Sequence, residues 1–242
     1  MAEAIYDLAG YDRVTVDISG EESFRGDVTP FRTTLAAWFI NTATIPTTRF
    51  EAMFRKGVSL TGRLAGDGQY LWQWDPSTRT YSSSRYQTDD PEPAGQYADH
   101  RQRLLQTIGK RVTGPGSFGS HILMDAFGAN ASNVSTMATR WRPWMPTATV
   151  TVRATPSGYA IECTTTTPTP ATLTYLLETS ASGTQVLTGA QYTTTTMIGG
   201  APRTTDWTAT IYRGNVPTDF DSTFSAPAGS RSTSVQNKQV GG

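Results

Sequence analysis

Apolar residues recur at every second position through much of this chain, the period of a strand with one face in a core. Val14, Val16 and Ile18 alternate with Thr15 and Asp17, so Arg13 to Ser19 predicts a half-buried strand. A charged turn over Gly20–Asp27 is expected next. Phe31 to Asn41, rich in β-branched and aromatic residues, then predicts a second strand, which Pro46 ends. Arg49 to Arg55 places Phe50, Ala52 and Phe54 on one side of a third. Leu60 to Leu64 alternates again, and Gly66-Asp67-Gly68 is a strong turn signal. Tyr70, Trp72 and Trp74 fall on one face of the next strand, and Asp75-Pro76-Ser77-Thr78 turns the chain into Thr80 to Tyr86. Consecutive strands with short connections pair by default, which makes this first block a meander.

The period then changes. Residues 3–12 predict a short helix limited by Gly10, and Asp89-Asp90-Pro91-Glu92-Pro93 is a breaker cluster. Gln96 to Gly109 fits a helix with Tyr97, Leu104, Leu105 and Ile108 inward. Ser120 to Phe127, after Gly114-Pro115-Gly116, reads as a short buried helix, and Ser132 to Arg140 as another. Strands resume at Ala148–Ala154, Gly158–Thr166, Ala171–Thr179, Thr184–Thr194, Asp206–Tyr212 and Ser222–Ala226. Helices between two blocks of strands belong on one face of an antiparallel sheet. The expected organisation is one mainly β (α+β) domain over 1–235, with strands in 13–86 and 147–226, a helical insert in 96–140 and a polar tail at 236–242.

Composition narrows the function. Lys plus Arg and Asp plus Glu number 20 each, so the net charge is zero and nothing favours a nucleic-acid partner. Only 17% of residues are charged, leaving Thr, Ser, Gln and Gly to carry the polar surface, a habit of exported and surface proteins. The chain opens without a signal peptide and has no apolar run long enough to span a bilayer. Cys163, the single cysteine, sits in an alternating strand pattern and reads as a small core residue.

The search for chemistry returns little. His121 and Asp125, four apart, can share a helix face and pair, but no third metal ligand lies within local reach. Gly116-Ser117-Phe118-Gly119 lacks the glycine that a G-x-S-x-G elbow needs two residues before its serine, because that position is Pro115. A hydrolase acting through Ser117 and His121 is therefore the weakest reading. No catalytic residue, metal site or cofactor is expected.

The aromatics are more telling. Trp38, Phe39, Phe50, Phe54, Trp72, Trp74, Trp141, Trp144 and Trp207 lie on or beside strands. They serve either as a plain core or as the lining of a pocket for an apolar ligand. Two segments also resemble a known family. Gly66-Asp67-Gly68-Gln69-Tyr70-Leu71-Trp72-Gln73-Trp74-Asp75-Pro76 with Tyr81 resembles a hairpin of LolA-like proteins, the bacterial lipoprotein carriers and their envelope relatives. Phe220-Asp221-Ser222-Thr223-Phe224-Ser225-Ala226-Pro227-Ala228-Gly229 resembles their closing strand. The resemblance implies a curved antiparallel sheet forming an incomplete barrel, with short helices covering the concave face. It also implies a periplasmic or extracellular protein that holds a lipid or acyl chain. Ligand contacts are then expected from Trp38, Phe50, Phe54, Trp72, Trp74, Ile122, Phe127 and Trp207, with an envelope protein partner or self-association left open. The rival reading, from low charge and Thr-rich strands, is a self-assembling surface protein such as a filament or virion subunit with no small ligand.

Overall fold

The computed structural model describes residues 1–11, 13–41, 46–66, 70–75, 78–85, 112, 114–128, 133–166, 169–214 and 231–236. Helices α1 (Ala2–Ala9), α2 (Gly116–Gly128) and α3 (Val134–Arg140) accompany twelve strands. These are β1 (Arg13–Phe24), β2 (Asp27–Asn41), β3 (Pro46–Lys56), β4 (Ser59–Gly66), β5 (Tyr70–Asp75), β6 (Thr80–Arg85), β7 (Thr149–Thr155), β8 (Gly158–Thr165), β9 (Ala171–Thr179), β10 (Gln185–Ile198), β11 (Ala201–Arg213) and β12 (Arg231–Gln236). They form one sheet in the order β12-β6-β5-β4-β3-β2-β1-β11-β10-β9-β8-β7. The two blocks meet where β1 pairs with both β2 and β11. The order is linear with β12 and β7 at its ends, so the sheet is open. This is the mainly antiparallel architecture the alternation predicts.

Three local differences have physical causes. The expected charged turn at Gly20–Asp27 shrinks to Arg25-Gly26, both at positive φ (54° and 88°), as a two-residue hairpin turn demands. Glu22 can stay in β1 because Arg203 pairs with it from β11. At the other hairpin, Gly199 and Gly200 (φ 55° and 80°) make the whole turn, and Ala201-Pro202 already belongs to β11. Finally, β12 pairs parallel to β6, in a stretch with no sequence signal for a strand. The expected helix at 96–109 and the expected strand at 222–226 lie outside the described residues.

Ladder register divides the side chains between two faces. Val14, Val16 and Ile18 stand opposite Ala37, Leu35 and Thr33 on β2, and opposite Arg213, Ile211 and Ala209 on β11. Ala52 and Leu64 continue this face outward; Ala190, Tyr175, Leu173, Ile161 and Cys163 continue it the other way. The three described helices pack here, burying Ile5, Leu8, Phe118, Ile122, Leu123 and Met137 in one apolar cluster. Helix α2 lies close over β1 and β2 because Gly119 has no side chain; a Cβ there would come 2.8 Å from Leu35 Cδ1. Arg213 ties α1 to the sheet, donating from Nε to Asp7 Oδ2 (3.2 Å) and from a terminal nitrogen to the Leu187 carbonyl (2.6 Å).

The opposite face is polar at its centre. Arg32 binds both carboxylate oxygens of Asp17 (2.9 and 3.0 Å), and Thr34 Oγ1 donates to Asp17 Oδ1 at 2.8 Å. Arg63 and Glu51 form a buried ion pair beside Met53 and Ala36. A forked arginine–carboxylate contact fixes geometry as well as charge, which helps hold strand register on a face with few apolar side chains.

Candidate functional site

The densest feature of the helix-covered face is a group of six aromatic rings. Trp207 lies at its centre because the Gly199-Gly200 turn sets β10 against β11 with Tyr192 directly opposite Trp207. Their rings stack at 5.1 Å and 24°. Such close sheet geometry requires glycine at Gly20, the β1 partner of Trp207, where a Cβ would fall 2.6 Å from the Trp207 Cβ. Phe118 reaches down from α2 to 5.0 Å from Trp207 and 5.9 Å from Tyr175. Trp144, on the segment that follows α3, meets Phe118 edge-on at 5.8 Å, Trp207 at 6.0 Å and Tyr192 at 5.4 Å. Trp141 meets Tyr175 at 6.2 Å. Offset and edge-to-face pairs at these separations add about 0.5–1.5 kcal/mol each beyond the area they bury.

Phe118, Tyr175 and Trp207 are closed to water, whereas Trp141, Trp144 and Tyr192 are half-buried. An open cleft of about 260 Å³ starts where this cover thins. Its walls are Trp144, Met145, Ala171 and Tyr192 on the apolar side, and Thr147, Thr165 and Thr169 on the polar side. Thr165 Oγ1 donates to the Thr169 carbonyl at 3.0 Å, which fixes that rim. The Trp144 backbone N–H donates to the Tyr175 hydroxyl at 3.2 Å, so the segment carrying the roof is pinned to the sheet. One side apolar and one side hydroxyl-lined suits an amphipathic molecule, apolar end inward.

Beside the aromatic group, α2 carries the one cluster of ionisable groups with shifted equilibria on this face among the described residues. His121 Nε2 lies 3.0 Å from the Arg142 carbonyl and 3.2 Å from Asp125 Oδ2. A carbonyl can only accept, so the Nε2 proton points to Arg142. Asp125 Oδ2 is left buried with no hydrogen-bond partner, as is Trp141 Nε1. Burial therefore raises the Asp125 carboxyl to about 7 and lowers the His121 imidazole, the latter opposed in part by its bond to Arg142. The 3.2 Å approach is thus a contact between a neutral imidazole and a carboxyl that keeps its proton until about pH 7. Tyr175 is pushed above its usual range, chiefly by burial, opposed in part by the bond from Trp144 and helped by the nearby Cys163 and Asp125. Ser117 Oγ donates to the Gly114 carbonyl (2.7 Å), closing the first turn of α2 rather than reaching His121. The hydrolase reading has no assembled nucleophile and base.

The residues expected to contact a ligand scatter. Trp207 and Ile122 lie in the buried cluster, Trp207 as the layer beneath Tyr192. Phe54 is half-buried at the far side of the same cluster, near Gly62 and Gly116. Trp74 stands opposite Arg63, hence on the other face of the sheet from Phe54 and Trp207. Trp38, Phe50 and Trp72 belong to β2, β3 and β5, and Phe127 to α2; their side chains lie outside the described residues. Of the residues that line the cleft, only Trp144 is among the aromatics that the sequence singles out. Tyr192 sits in a run that reads as solvated threonine, and only counting back from Gly199-Gly200 pairs it with Trp207. Trp144 and Met145 sit between elements, where periodicity is silent.

No family model matches the chain, and no curated protein matches it. Among the solved structures that overlap it, three do so only loosely. A DUF1329 family protein from Desulfovibrio piger is 11% identical with a TM-score of 0.34, covering 90% of this chain and 95% of that one. A candidate AttH from Nitrosomonas europaea is 9% identical with a TM-score of 0.22, over 86% of this chain and 53% of the other. MucB in complex with MucA(peri) is 8% identical with a TM-score of 0.14, over 86% and 92%. Overlaps this loose transfer neither a role nor a ligand, and the site stands on its own residues.

Proposed function

We propose that the protein is a non-enzymatic binding protein that holds a lipid or other apolar ligand in the cleft between Trp144 and Tyr192. The observation that carries this reading is the cleft itself, an open apolar wall backed by stacked rings and rimmed by three threonines. Ligand sites are characteristically concave and mostly apolar, with a few fixed polar groups that orient the guest. At about 260 Å³ the cleft takes one chain end rather than a whole lipid. Each methylene that enters gains about 0.8 kcal/mol. Six would gain about 5 kcal/mol before the cost of lost translational and rotational freedom, so binding through this end alone is weak. The hydrogen bond from Trp144 N–H to Tyr175 keeps the roof in place without a ligand, so little ordering cost opposes binding.

An envelope-side location is part of the same proposal. It is supported by the low charge content and by the resemblance of the Gly66–Tyr81 and Phe220–Gly229 segments to LolA-like carriers. No described helix is long and apolar enough to cross a membrane. The test is saturable binding of a fluorescent fatty acid to delipidated protein, together with mass spectrometry of solvent extracts from freshly purified material. Binding that Tyr192→Asp abolishes supports the assignment; a probe that finds no saturable site removes it.

A further inference from the structure

A sheet with linear strand order leaves an edge at β7, and this edge is bare. Six of its seven residues, Thr149 to Ala154, are exposed. Val150 and Val152, on the same face as the apolar core, remain 49% and 61% exposed because the described helices do not extend over this strand, and Tyr159 beside them is 44% exposed. Natural sheets blunt such edges with proline, bulges or inward-pointing charge. Thr149–Thr155 has no proline, bulge or inward-pointing charge, its one charge being Arg153 on the face away from the core, and its ladder with β8 runs unbroken over seven pairs.

The backbone pattern fixes what the edge offers. The Thr179 N–H donates to the Ser157 carbonyl at 2.8 Å, so Ser157 turns its polar groups toward β9. Alternation along the strand then turns those of Gly158, Ala160, Glu162 and Thr164 toward β7. Their partners Thr155, Arg153, Thr151 and Thr149 point inward. The N–H and C=O groups of Val150, Val152 and Ala154 therefore face outward, and no described strand meets them.

We propose that β7 is a docking edge for a second copy of this chain, joined antiparallel about a two-fold axis at Val152. That register places Val152 opposite the partner's Val152, Val150 opposite the partner's Ala154, and Thr151 opposite the partner's Arg153. The three residues whose backbone groups face outward are the three that meet as ladder pairs, which gives six hydrogen bonds. Their side chains form one uninterrupted apolar stripe on the core face. On the other face Arg153 never meets its own symmetry mate. It lies over the partner's Thr151, and the next strand inward carries the partner's Glu162 opposite that threonine. Two strand spacings, about 10 Å, separate the backbones, a span that an arginine and a glutamate side chain cover together. Among the described residues neither Arg153 nor Glu162 has an ion-pair or side-chain hydrogen-bond partner. The strand is thus complementary to itself in backbone, shape and charge. A two-fold contact of this kind closes on itself and stops at two copies. This proposal does not depend on the ligand cleft.

Sedimentation over a concentration series tests it. The native protein is expected to move from one copy of 26.2 kDa toward twice that mass as concentration rises. Val152→Lys puts two ammonium groups across the axis and returns the sample to single copies; at a position this exposed it leaves the circular dichroism spectrum unchanged and the melting temperature at that of the dilute native protein. In a Cys163→Ser background, Val152→Cys is expected to give an intermolecular disulfide under mild oxidation, since paired strands hold Cα atoms at about 5.5 Å. Thr151→Cys, facing Arg153 of the partner subunit, is expected to cross-link far more slowly. Single copies at every concentration overturn the proposal, as does a dimer indifferent to Val152→Lys or a disulfide formed equally fast at Thr151.

Discussion

Replacing Asp125 by asparagine removes one ionisation from the helix layer at almost constant shape. The carboxyl lies within α2, its side chain 19% exposed and its Oδ2 atom without a donor. The groups around it are His121 on its own helix, the Arg142 carbonyl and the Tyr175 hydroxyl, and none supplies a full positive charge near neutral pH. Burial raises its pKa from 3.8 to about 7. Below about pH 4 the carboxyl is protonated folded or unfolded, and contributes no pH dependence. Between about pH 4 and 7 the unfolded chain has lost the proton and the folded chain keeps it, so stability falls as pH rises, by about 1.4 kcal/mol per unit. Above about 7 both states are ionised and the loss levels off at about 4 kcal/mol, an upper bound for a side chain that retains some water contact. His121 acts with the opposite sign: its lowered pKa costs stability as pH falls below about 6.5, where the unfolded imidazole takes up a proton. That contribution is common to both proteins and largely cancels in their difference. Urea unfolding followed by tryptophan fluorescence from pH 4.5 to 8 is the assay. Asp125→Asn is expected to gain on the native protein steadily up to about pH 7 and then hold its lead. A difference independent of pH would mean that Asp125 ionises in the folded state as it does in water, and would refute the reasoning.

Two further substitutions test how the cleft is built. Gly20→Ala would drive a methyl group to within 2.1 Å of the Asp206 carbonyl oxygen and 2.6 Å of the Trp207 Cβ. Overpacking of this kind costs about 1–3 kcal/mol, and in a chain this long thermal unfolding should show a drop of several degrees. Tyr175→Phe removes the acceptor of the Trp144 N–H and is expected to cost about 1 kcal/mol by urea titration, while loosening the roof and weakening fatty-acid binding. Retained affinity with unchanged stability would show that the roof is held by other contacts.

The fold was legible wherever periodicity speaks. Val14-Val16-Ile18, Phe50-Ala52-Phe54 and Ala160-Ile161-Glu162-Cys163 lie within strands, and Ser120–Phe127 lies within α2. Glu21 and Glu22 misled, because charge reads as turn when the cross-strand arginine that neutralises Glu22 lies 181 residues away. Strand β12 was invisible because Arg231–Gln236 has the composition of a tail and its partner is distant. The site was harder still. Trp74 and Phe54 both read as inward on their own strands, yet the β3–β4 and β4–β5 registers put them on opposite faces. Alternation finds which residues share a face within a strand, and only pairing finds which faces agree. Tyr192, Trp144 and Met145 meet through tertiary packing that no local pattern encodes.

The proposed function requires that the wall formed by Trp144 and Tyr192 receive an apolar chain. Isothermal titration of a medium-chain fatty acid into delipidated native protein, set beside Tyr192→Asp, tests it most directly. One saturable site per chain, a negative heat-capacity change and at least a tenfold loss in the variant is the predicted result. Heats of dilution alone, or identical binding by both proteins, would contradict the claim.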